Sequence, residues 1–349
     1  MPDCKSSVTS GFSPCIFPRP AYDTSANVLR RALFRHVAAI VKLLLFVRLA
    51  EPWYQSLAHW WTAAAAGGAE GWSERSFFVA GITGVHALLY WSVNSAFLAC
   101  DRRGWLERYK LERTTAMGPS EQLLASTWRQ ALFGQFVIGP AVVWYVWVLA
   151  HDRGGMPPAA SPLPSLADMS LFFLGCMLVN DWGFYWSHRL AHATPLYAAV
   201  HKQHHTYKGT VGFAAEFAGP IEQTFSNQIP TMGYAVLTGG HPLLQLAWLA
   251  GRLMQTYEGH SGYCFRGTAL YAWGVLGDAA PYHDFHHTKN SGNFGAEYLD
   301  HFFGTMDAWL RQGGTPGYVA AKRQGVVGNV LRNDHPERKA ARADKQKAA

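Results

Sequence analysis

The run QALFGQFVIGPAVVWYVWVLA, residues 130–150, contains no ionisable side chain. A helix needs about 20 apolar residues to cross a hydrocarbon core roughly 30 Å thick, and this run has that length. Residues 76–100 and 166–186 are similarly apolar, and residues 33–50 are apolar apart from three cations. Residues 33–50 form either a span whose cations reach the interface or an amphipathic helix on the surface, and we favour the span. The sequence therefore predicts about four transmembrane helices.

A second pair of apolar runs, residues 223–238 and 243–257, is separated by Gly239-Gly240-His241-Pro242. Each run is short for a full span, so a helical hairpin that dips into the membrane and returns is expected. Only 15% of the residues are charged, against about 25% in soluble domains. We therefore predict an all-α integral membrane protein, with the hairpin added to the four spans.

The distribution of cations predicts the orientation of the helices. The net charge is +7, but the surplus lies beside apolar runs and forms no nucleic-acid-binding motif. Residues 101–113 hold five Lys and Arg residues and are expected in the cytosol, whereas residues 151–168 hold a single Arg and are expected in the lumen. Both termini are then cytosolic. Lys345 and Lys347 near the end of the sequence resemble a dilysine retrieval signal, which favours the endoplasmic reticulum membrane.

Histidines are concentrated in one part of the chain. Ten of the 16 lie between residues 188 and 287, mostly in boxes with helical spacing: His188 and His192; His201, His204 and His205; His283, His286 and His287. Residues three and four apart share one face of a helix, so each box aims several imidazoles at one point. His260 follows the hairpin and returns to the same predicted cytosolic level. Neutral imidazoles held by metal are the favoured interpretation, and a pH-sensing cluster is the alternative.

The number of histidines predicts two metal ions. Eight or nine ligands exceed the four of a tetrahedral zinc site, and imidazole suits Zn, Cu, Fe and Ni alike, so the residues leave the metal open. The five cysteines are scattered and form no CxxC, which excludes a disulfide framework and a cysteine-ligated zinc site. Four acidic residues near the boxes either orient imidazoles from outside or are solvated charges. They are Asp181, Glu216, Glu258 and Asp284.

Several ordered segments together resemble the fatty acid hydroxylase/sterol desaturase superfamily. They are Asp181 to His192, His201 to His205, Gln255 to Tyr263 and His283 to His287. The stretch from Arg252 to Tyr263 is most similar to C4-methylsterol oxidases, as are Ala215-Glu216-Phe217-Ala218 and the ending Gly292-Asn293-Phe294-Gly295, Asp300 and Phe303-Gly304-Thr305. The resemblance implies a histidine-box domain at 173–309, preceded by a polar tail at 1–27 and a transmembrane region at 28–172. A polar cytosolic tail at 310–349 would follow, and the histidine boxes would form a helical cap on the cytosolic face.

The resemblance also implies the chemistry. It implies a non-haem di-iron centre that activates O2 and oxidises a membrane lipid, here the C4-methyl group of a sterol precursor. The ligands carried over by position are His188, His192, His201, His204, His205, His260, His283, His286 and His287. One position departs from the pattern, because Gly219 stands where C4-methylsterol oxidases usually carry histidine. His241 is a candidate substitute, but the predicted topology puts it at the far turn of the hairpin.

Cofactor motifs constrain the source of electrons. The sequence has no GxGxxG, P-loop or CxxCH motif, so an external donor is expected, and the resemblance suggests a cytochrome b5-type carrier. A sterol desaturase or a sphingolipid or fatty-acyl hydroxylase of the same superfamily is the alternative enzyme. A non-catalytic metal- or sterol-binding membrane protein is the alternative from a different class. A transporter with histidine proton relays is disfavoured, because its ionisable groups would lie at mid-membrane.

Overall fold

Helices account for the regular structure of the chain. The computed structural model describes residues 25–68, 71–111, 119–207, 209, 211–272, 274 and 276–323. Within these ranges there is no strand, only an isolated bridge between Lys110 and Tyr263. The prediction of an all-α protein is confirmed.

The α-helices are numbered in chain order. Helices α1 to α13 span Ser25–Ala66, Glu74–Arg103, Glu121–Phe133, Gly139–Val148, Leu166–Ala191, Pro220–Glu222, Ile229–Leu237, Pro242–His260, Ala269–Ala272, Ala279–Lys289, Glu297–Phe302, Asp307–Arg311 and Gly314–Arg323. A turn of π-helix at Gly134–Ile138 joins α3 to α4, and a second at Leu149–Arg153 extends α4, so that residues 121–153 form one continuous rod. A third turn, at Gln223–Gln228, joins α6 to α7.

Two helical segments are long and apolar enough to cross a membrane. They are α2 and the rod Glu121–Arg153, and only 22% and 6% of their most apolar windows are buried in the protein. Side chains this apolar that face outward are typical of lipid contact rather than of a soluble core. The other predicted spans, residues 33–50 and 166–186, lie inside α1 and α5, which carry charged residues along these stretches. The number of spans and their orientation therefore stay predictions.

The ends of α2 follow ordinary capping chemistry. The Ser73 side chain accepts from the Ser76 backbone N–H, and the Ser76 side chain accepts from the Ser73 N–H in return. At the other end Gly104 takes φ 65°, a left-handed conformation that glycine adopts without steric penalty. The apolar run predicted at 76–100 is thus bounded by a capping box and a glycine cap.

The predicted hairpin consists of two helices, the segment that ends in α7 and the helix α8. The chain turns at Gly239, where φ is 56° and an added Cβ would lie 2.1 Å from the carbonyl oxygen of Gly154. Only glycine fits this approach. His241 follows the turn, and its Nε2 lies 3.0 Å from the carbonyl oxygen of Ser161. His241 thus lies beside the loop that was predicted to be luminal.

A core between α1, α5 and α8 fixes the positions of α5 and α8. Val47 of α1, Phe173 and Cys176 of α5, and Leu244 and Ala247 of α8 are buried together. Both α5 and α8 end in histidines of the predicted set. Packing of their apolar faces therefore brings those histidines to one level of the bundle.

The beginning of the predicted C-terminal tail is folded. Residues 314–323 form α13, and its Lys322 is 4% exposed and pairs with Asp284 of α10, which is 1% exposed, at 2.8 Å. The Tyr318 hydroxyl donates to the same carboxylate at 2.7 Å. The stretch that was predicted as a polar tail thus contains a buried ion pair that attaches α13 to α10. Most of the N-terminal tail and residues 324–349, with Lys345 and Lys347, lie outside the described residues.

Candidate metal centre

Four segments deliver the nine predicted histidines to one region. His188 and His192 lie at the end of α5, and His260 is the last residue of α8. Two further segments are the turns that contain residues 201–205 and helix α10, and each supplies three histidines. Histidines four residues apart lie on the same side of a helical turn, so they point to the same place.

The imidazoles separate into two groups. The five-histidine group consists of His188, His192, His201, His205 and His286. The four-histidine group consists of His204, His260, His283 and His287. Within each group one ligand atom from every residue lies within 4.8 Å of the others. The structure therefore brings all nine predicted residues together, and His241 belongs to neither group.

Ring nitrogens face one another at short range in the five-histidine group. The Nε2 of His201 lies 3.1 Å from that of His188 and 3.0 Å from that of His205. The Nε2 of His286 lies 3.1 Å from those of His192 and His205. In the four-histidine group, His283 Nε2 lies 2.9 Å from His260 Nε2 and 3.0 Å from His287 Nε2. The remaining member, His204, has its Nε2 3.5 Å from that of His260.

The outward nitrogens determine where the protons lie. The Nδ1 of His188 donates to the Phe294 carbonyl at 2.6 Å, and the Nδ1 of His286 donates to the Gly292 carbonyl at 2.7 Å. Because a carbonyl oxygen only accepts, each of these Nδ1 atoms carries the proton and each Nε2 presents a lone pair inward. His260 and His287 are held in the same way by the carbonyls of Thr256 and Tyr207.

This arrangement fits metal ions. Two unprotonated Nε2 atoms cannot hydrogen-bond to each other, and their lone pairs repel unless a cation lies between them. Two nitrogens about 2.1 Å from one ion, at right angles around it, are about 3.0 Å apart. Six of the seven separations given above are 2.9–3.1 Å and agree with that value, and the seventh, between His204 and His260, is 3.5 Å. Each group therefore has the donor atoms and the spacing that could hold one ion.

Burial keeps these imidazoles neutral. Burial lowers the pKa of His188 and that of His260 to about 4, from an ordinary value of 6.5. Burial and the neighbouring imidazoles both lower the pKa of His286 and His287 well below the ordinary value. Neutral imidazole is the form that binds a metal.

Acidification should destabilise the protein once metal has been removed with a chelator. The unfolded chain takes up protons near pH 6.5, whereas folded His188 and His260 do so only near pH 4. The neutral histidines therefore contribute their full stabilisation above pH 6.5. Between pH 6.5 and 4 the free energy of unfolding falls by about 1.4 kcal/mol per pH unit for each such histidine. Thermal unfolding of the chelated protein between pH 7.5 and 4.5 measures this slope. The variant His260→Asn should show a shallower slope, and equal slopes would contradict the assignment.

A carboxylate contacts the five-histidine group, and sequence reasoning missed it. Glu222, which is 4% exposed, accepts from the Nδ1 of His201 at 2.8 Å. Carboxylate–histidine pairs of this kind orient metal-bound imidazoles. The available signal was an acidic residue placed immediately before the apolar run 223–238.

The four acidic residues considered from sequence have other partners. Within the described chain, Asp181 contacts His36 at 3.1 Å and Glu258 accepts from the backbone N–H of Gly277 at 2.7 Å. Asp284 pairs with Lys322. The fourth, Glu216, accepts from three side chains, those of His86, Gln135 and Tyr257. These contacts stabilise the surrounding helices.

Comparison with known proteins identifies the family of the region that carries the histidines. The family model for fatty acid hydroxylases matches residues 173–305, which contain all nine histidines. Methylsterol monooxygenase 2-1 of Arabidopsis thaliana is 34% identical to the chain over 237 residues, which are 63% of this chain and 85% of that protein. The chain belongs to the fatty acid hydroxylase family.

Two further members of the family extend the comparison. Methylsterol monooxygenase 2-2 of Arabidopsis thaliana is 30% identical over 232 residues, which cover 65% of this chain and 85% of that protein. The human fatty acid hydroxylase domain-containing protein 2 is 29% identical over 249 residues, which cover 68% of each chain. No solved structure shows a significant match to this fatty acid hydroxylase family member.

Proposed function

We propose that the chain is an O2-dependent non-haem di-iron monooxygenase of membrane lipids that oxidises the C4-methyl group of a sterol precursor. The observation that carries this proposal is the pair of histidine groups, in which neighbouring Nε2 atoms lie 2.9–3.5 Å apart. The names of the two Arabidopsis relatives support the sterol substrate. The outward-facing apolar helices support a substrate that comes from the membrane.

One iron would be held by the five-histidine group and one by the four-histidine group. Bound iron supplies the activation of O2 and the removal of hydrogen from an unactivated C–H bond. The chain's own residues keep the imidazoles neutral and exclude water by burial, and they orient five of the nine through Nδ1 hydrogen bonds, those of His188, His201, His260, His286 and His287. Glu222 holds the ring of His201 in place.

Each hydroxylation inserts one atom of O2 into a C–H bond and reduces the other to water, which consumes two electrons and two protons. The sequence has no nucleotide- or haem-binding motif, so these electrons come from a separate donor. We propose a cytochrome b5-type donor on the cytosolic face. The protein would then be a multi-pass protein of the endoplasmic reticulum membrane, with the histidine boxes and both termini in the cytosol.

The departure at Gly219 relates to the smaller histidine group. An added Cβ at Gly219 would lie 3.7 Å from Oε1 of Gln203, an ordinary contact distance, so the position has room for a side chain. The other near atom is the carbonyl oxygen of Val200, at 4.0 Å, and the segment 200–205 supplies histidines to both groups. We propose that the four-histidine group lacks the additional imidazole usual in C4-methylsterol oxidases, because it has one histidine fewer, with water as the replacement ligand.

Expression in cells that lack their own C4-methylsterol oxidase should remove accumulated 4,4-dimethylsterols. The purified protein should contain about two iron ions per chain, one for each histidine group. Sterol profiles and metal analysis measure both quantities. The matched control is the double variant His204→Ala/His286→Ala, which removes one member of each group and should restore the accumulation.

The possible outcomes separate the alternatives. Bound iron with a new double bond or hydroxyl on another lipid would retain the oxygenase and replace the sterol substrate. Sterol turnover that persists unchanged in the double variant would contradict the di-metal mechanism. Absence of both bound metal and lipid turnover would favour a non-catalytic membrane protein.

A further inference from the structure

The short loop 291–296, between α10 and α11, contacts two histidines of the five-histidine group. Its Gly292 carbonyl accepts from His286 Nδ1 at 2.7 Å, and its Phe294 carbonyl accepts from His188 Nδ1 at 2.6 Å. These histidines come from different helices, α10 and α5. One loop therefore sets the ring orientation of two members of the group, from two separate segments.

Asp300 of α11 holds this loop in shape. It is completely buried, and its Oδ1 accepts from the Phe294 backbone N–H at 2.8 Å and from the Thr305 hydroxyl at 2.6 Å. Its Oδ2 accepts from the Gly295 N–H at 2.9 Å and from the Tyr282 hydroxyl at 3.0 Å. Four donors therefore surround one carboxylate, and two of them are backbone groups of the loop.

The remaining loop contacts explain why glycine and asparagine occur there. Gly292 has φ 71°, and an added Cβ would lie 2.5 Å from the Thr305 carbonyl oxygen, so a side chain has no room. Asn293 has φ 52°, and its backbone N–H donates to the same carbonyl at 3.1 Å. The segment Gly292 to Gly295, Asp300 and Thr305 thus form one hydrogen-bonded unit behind the five-histidine group.

We propose that Asp300 is a positioning residue for the five-histidine group, acting through the loop 291–296. By holding the Phe294 and Gly295 amides, Asp300 aims the Gly292 and Phe294 carbonyls at His286 and His188. These carbonyls keep the proton on Nδ1 and the lone pair of Nε2 toward the metal. The inference rests on the proposed metal binding. It adds that the ligands of the two ions are oriented by different segments, because the carbonyls of Thr256 and Tyr207, outside this loop, hold His260 and His287.

Asp300→Asn tests the proposal. An amide has one acceptor oxygen in place of two, and its NH2 can donate to a hydroxyl but not to a backbone N–H, so one of the two loop amides, Phe294 or Gly295, loses its acceptor. Affinity for one of the two ions should fall about 10–100-fold, the usual effect of losing an outer hydrogen bond, with the other unchanged. Anaerobic titration of the full-length, detergent-solubilised apoprotein with Fe²⁺ against a competing chelator resolves the two affinities.

Glu216→Gln is the matched control. Glu216 is a carboxylate that also accepts from three side chains, but it is bonded to neither histidine group. This variant should bind both ions with the affinities of the unaltered chain. A second pair of variants keeps Asp300 intact. Thr305→Val removes one donor to Asp300 and should lower the affinity for the same ion. Thr305→Ser retains the hydroxyl and should leave that affinity unchanged.

The outcomes distinguish this inference from the proposed function. Failure of the unaltered chain to bind metal would overturn the proposed di-iron function. Binding of two ions by the unaltered chain and by Asp300→Asn with equal affinities would overturn the positioning role alone. Equal weakening of both ions in Asp300→Asn and in Thr305→Val would indicate general damage to the fold, and it would also overturn the positioning role.

Discussion

His286→Ala should abolish lipid turnover and release one of the two metal ions while the other stays bound. His286 is completely buried, and its Nε2 lies 3.1 Å from those of His192 and His205, so its loss opens the five-histidine group. Removal of a direct ligand should lower the affinity for that ion by more than the roughly 10–100-fold that follows loss of an outer hydrogen bond. Metal analysis of the purified variant, together with a lipid-turnover assay, measures both effects.

Two further variants serve as controls for His286→Ala. His204→Ala opens the four-histidine group and should release the other ion, so the two variants are complementary. His59 lies on the exposed side of α1, outside both groups, and His59→Ala should retain both ions. Retention of both ions in His286→Ala would exclude the five-histidine group as a metal site.

Lys322→Met should lower the free energy of unfolding by about 3–5 kcal/mol, because it removes a buried cation that pairs with the buried carboxylate of Asp284. Both side chains are almost completely inaccessible and lie 2.8 Å apart. The pair joins α13 to α10, the helix that supplies three histidines to the centre. Thermal or denaturant unfolding in detergent measures the loss.

A double variant separates the ion pair from the volume of the lysine. Lys322→Met/Asp284→Asn removes both charges and should recover most of the lost stability. Arg311→Met, at an exposed position of α12, should change stability by less than about 0.5 kcal/mol. A loss no greater in Lys322→Met than in Arg311→Met would contradict a stabilising role for the buried pair.

The histidine boxes were predictable from sequence because their spacing matches one turn of helix. His188 and His192 lie on a single helix, so their convergence required no knowledge of the tertiary fold. Division into groups of five and four was not predictable. It depends on the approach of α10 to the turns at residues 201–205, which places His286 beside His205 and His287 beside His204.

The apolar helices were predictable to the extent that length and hydropathy determine them. Residues 76–100 and 130–150 correspond to α2 and the rod Glu121–Arg153, since an uninterrupted apolar run of this length has few other stable structures. The folded helix α13 was not predictable. Its sequence contains two glycines and a proline, which disfavour a helix, and the carboxylate that pairs with Lys322 lies 38 positions earlier in the chain.

The hydrogen bonds behind the histidines were also hidden, for two different reasons. Backbone carbonyls such as those of Gly292 and Phe294 have no sequence signal, because every residue has one. Glu222 has a side-chain signal, but Asp181 and Glu258 are closer to histidine boxes in sequence and have other partners. Proximity along the chain is a poor guide to outer contacts, which come from loops that return from elsewhere.

The division of the histidines has a consequence for the connectivity of the chain. His192 and His286 are 94 positions apart, and His260 and His204 are 56 positions apart. An ion in each group would act as a cross-link that closes these long loops and lowers the conformational entropy of the unfolded chain. The described cysteines are all free. The two ions would therefore have the stabilising role that disulfide bonds have in a secreted domain. Metal supply would limit how long the histidine-bearing segments stay folded.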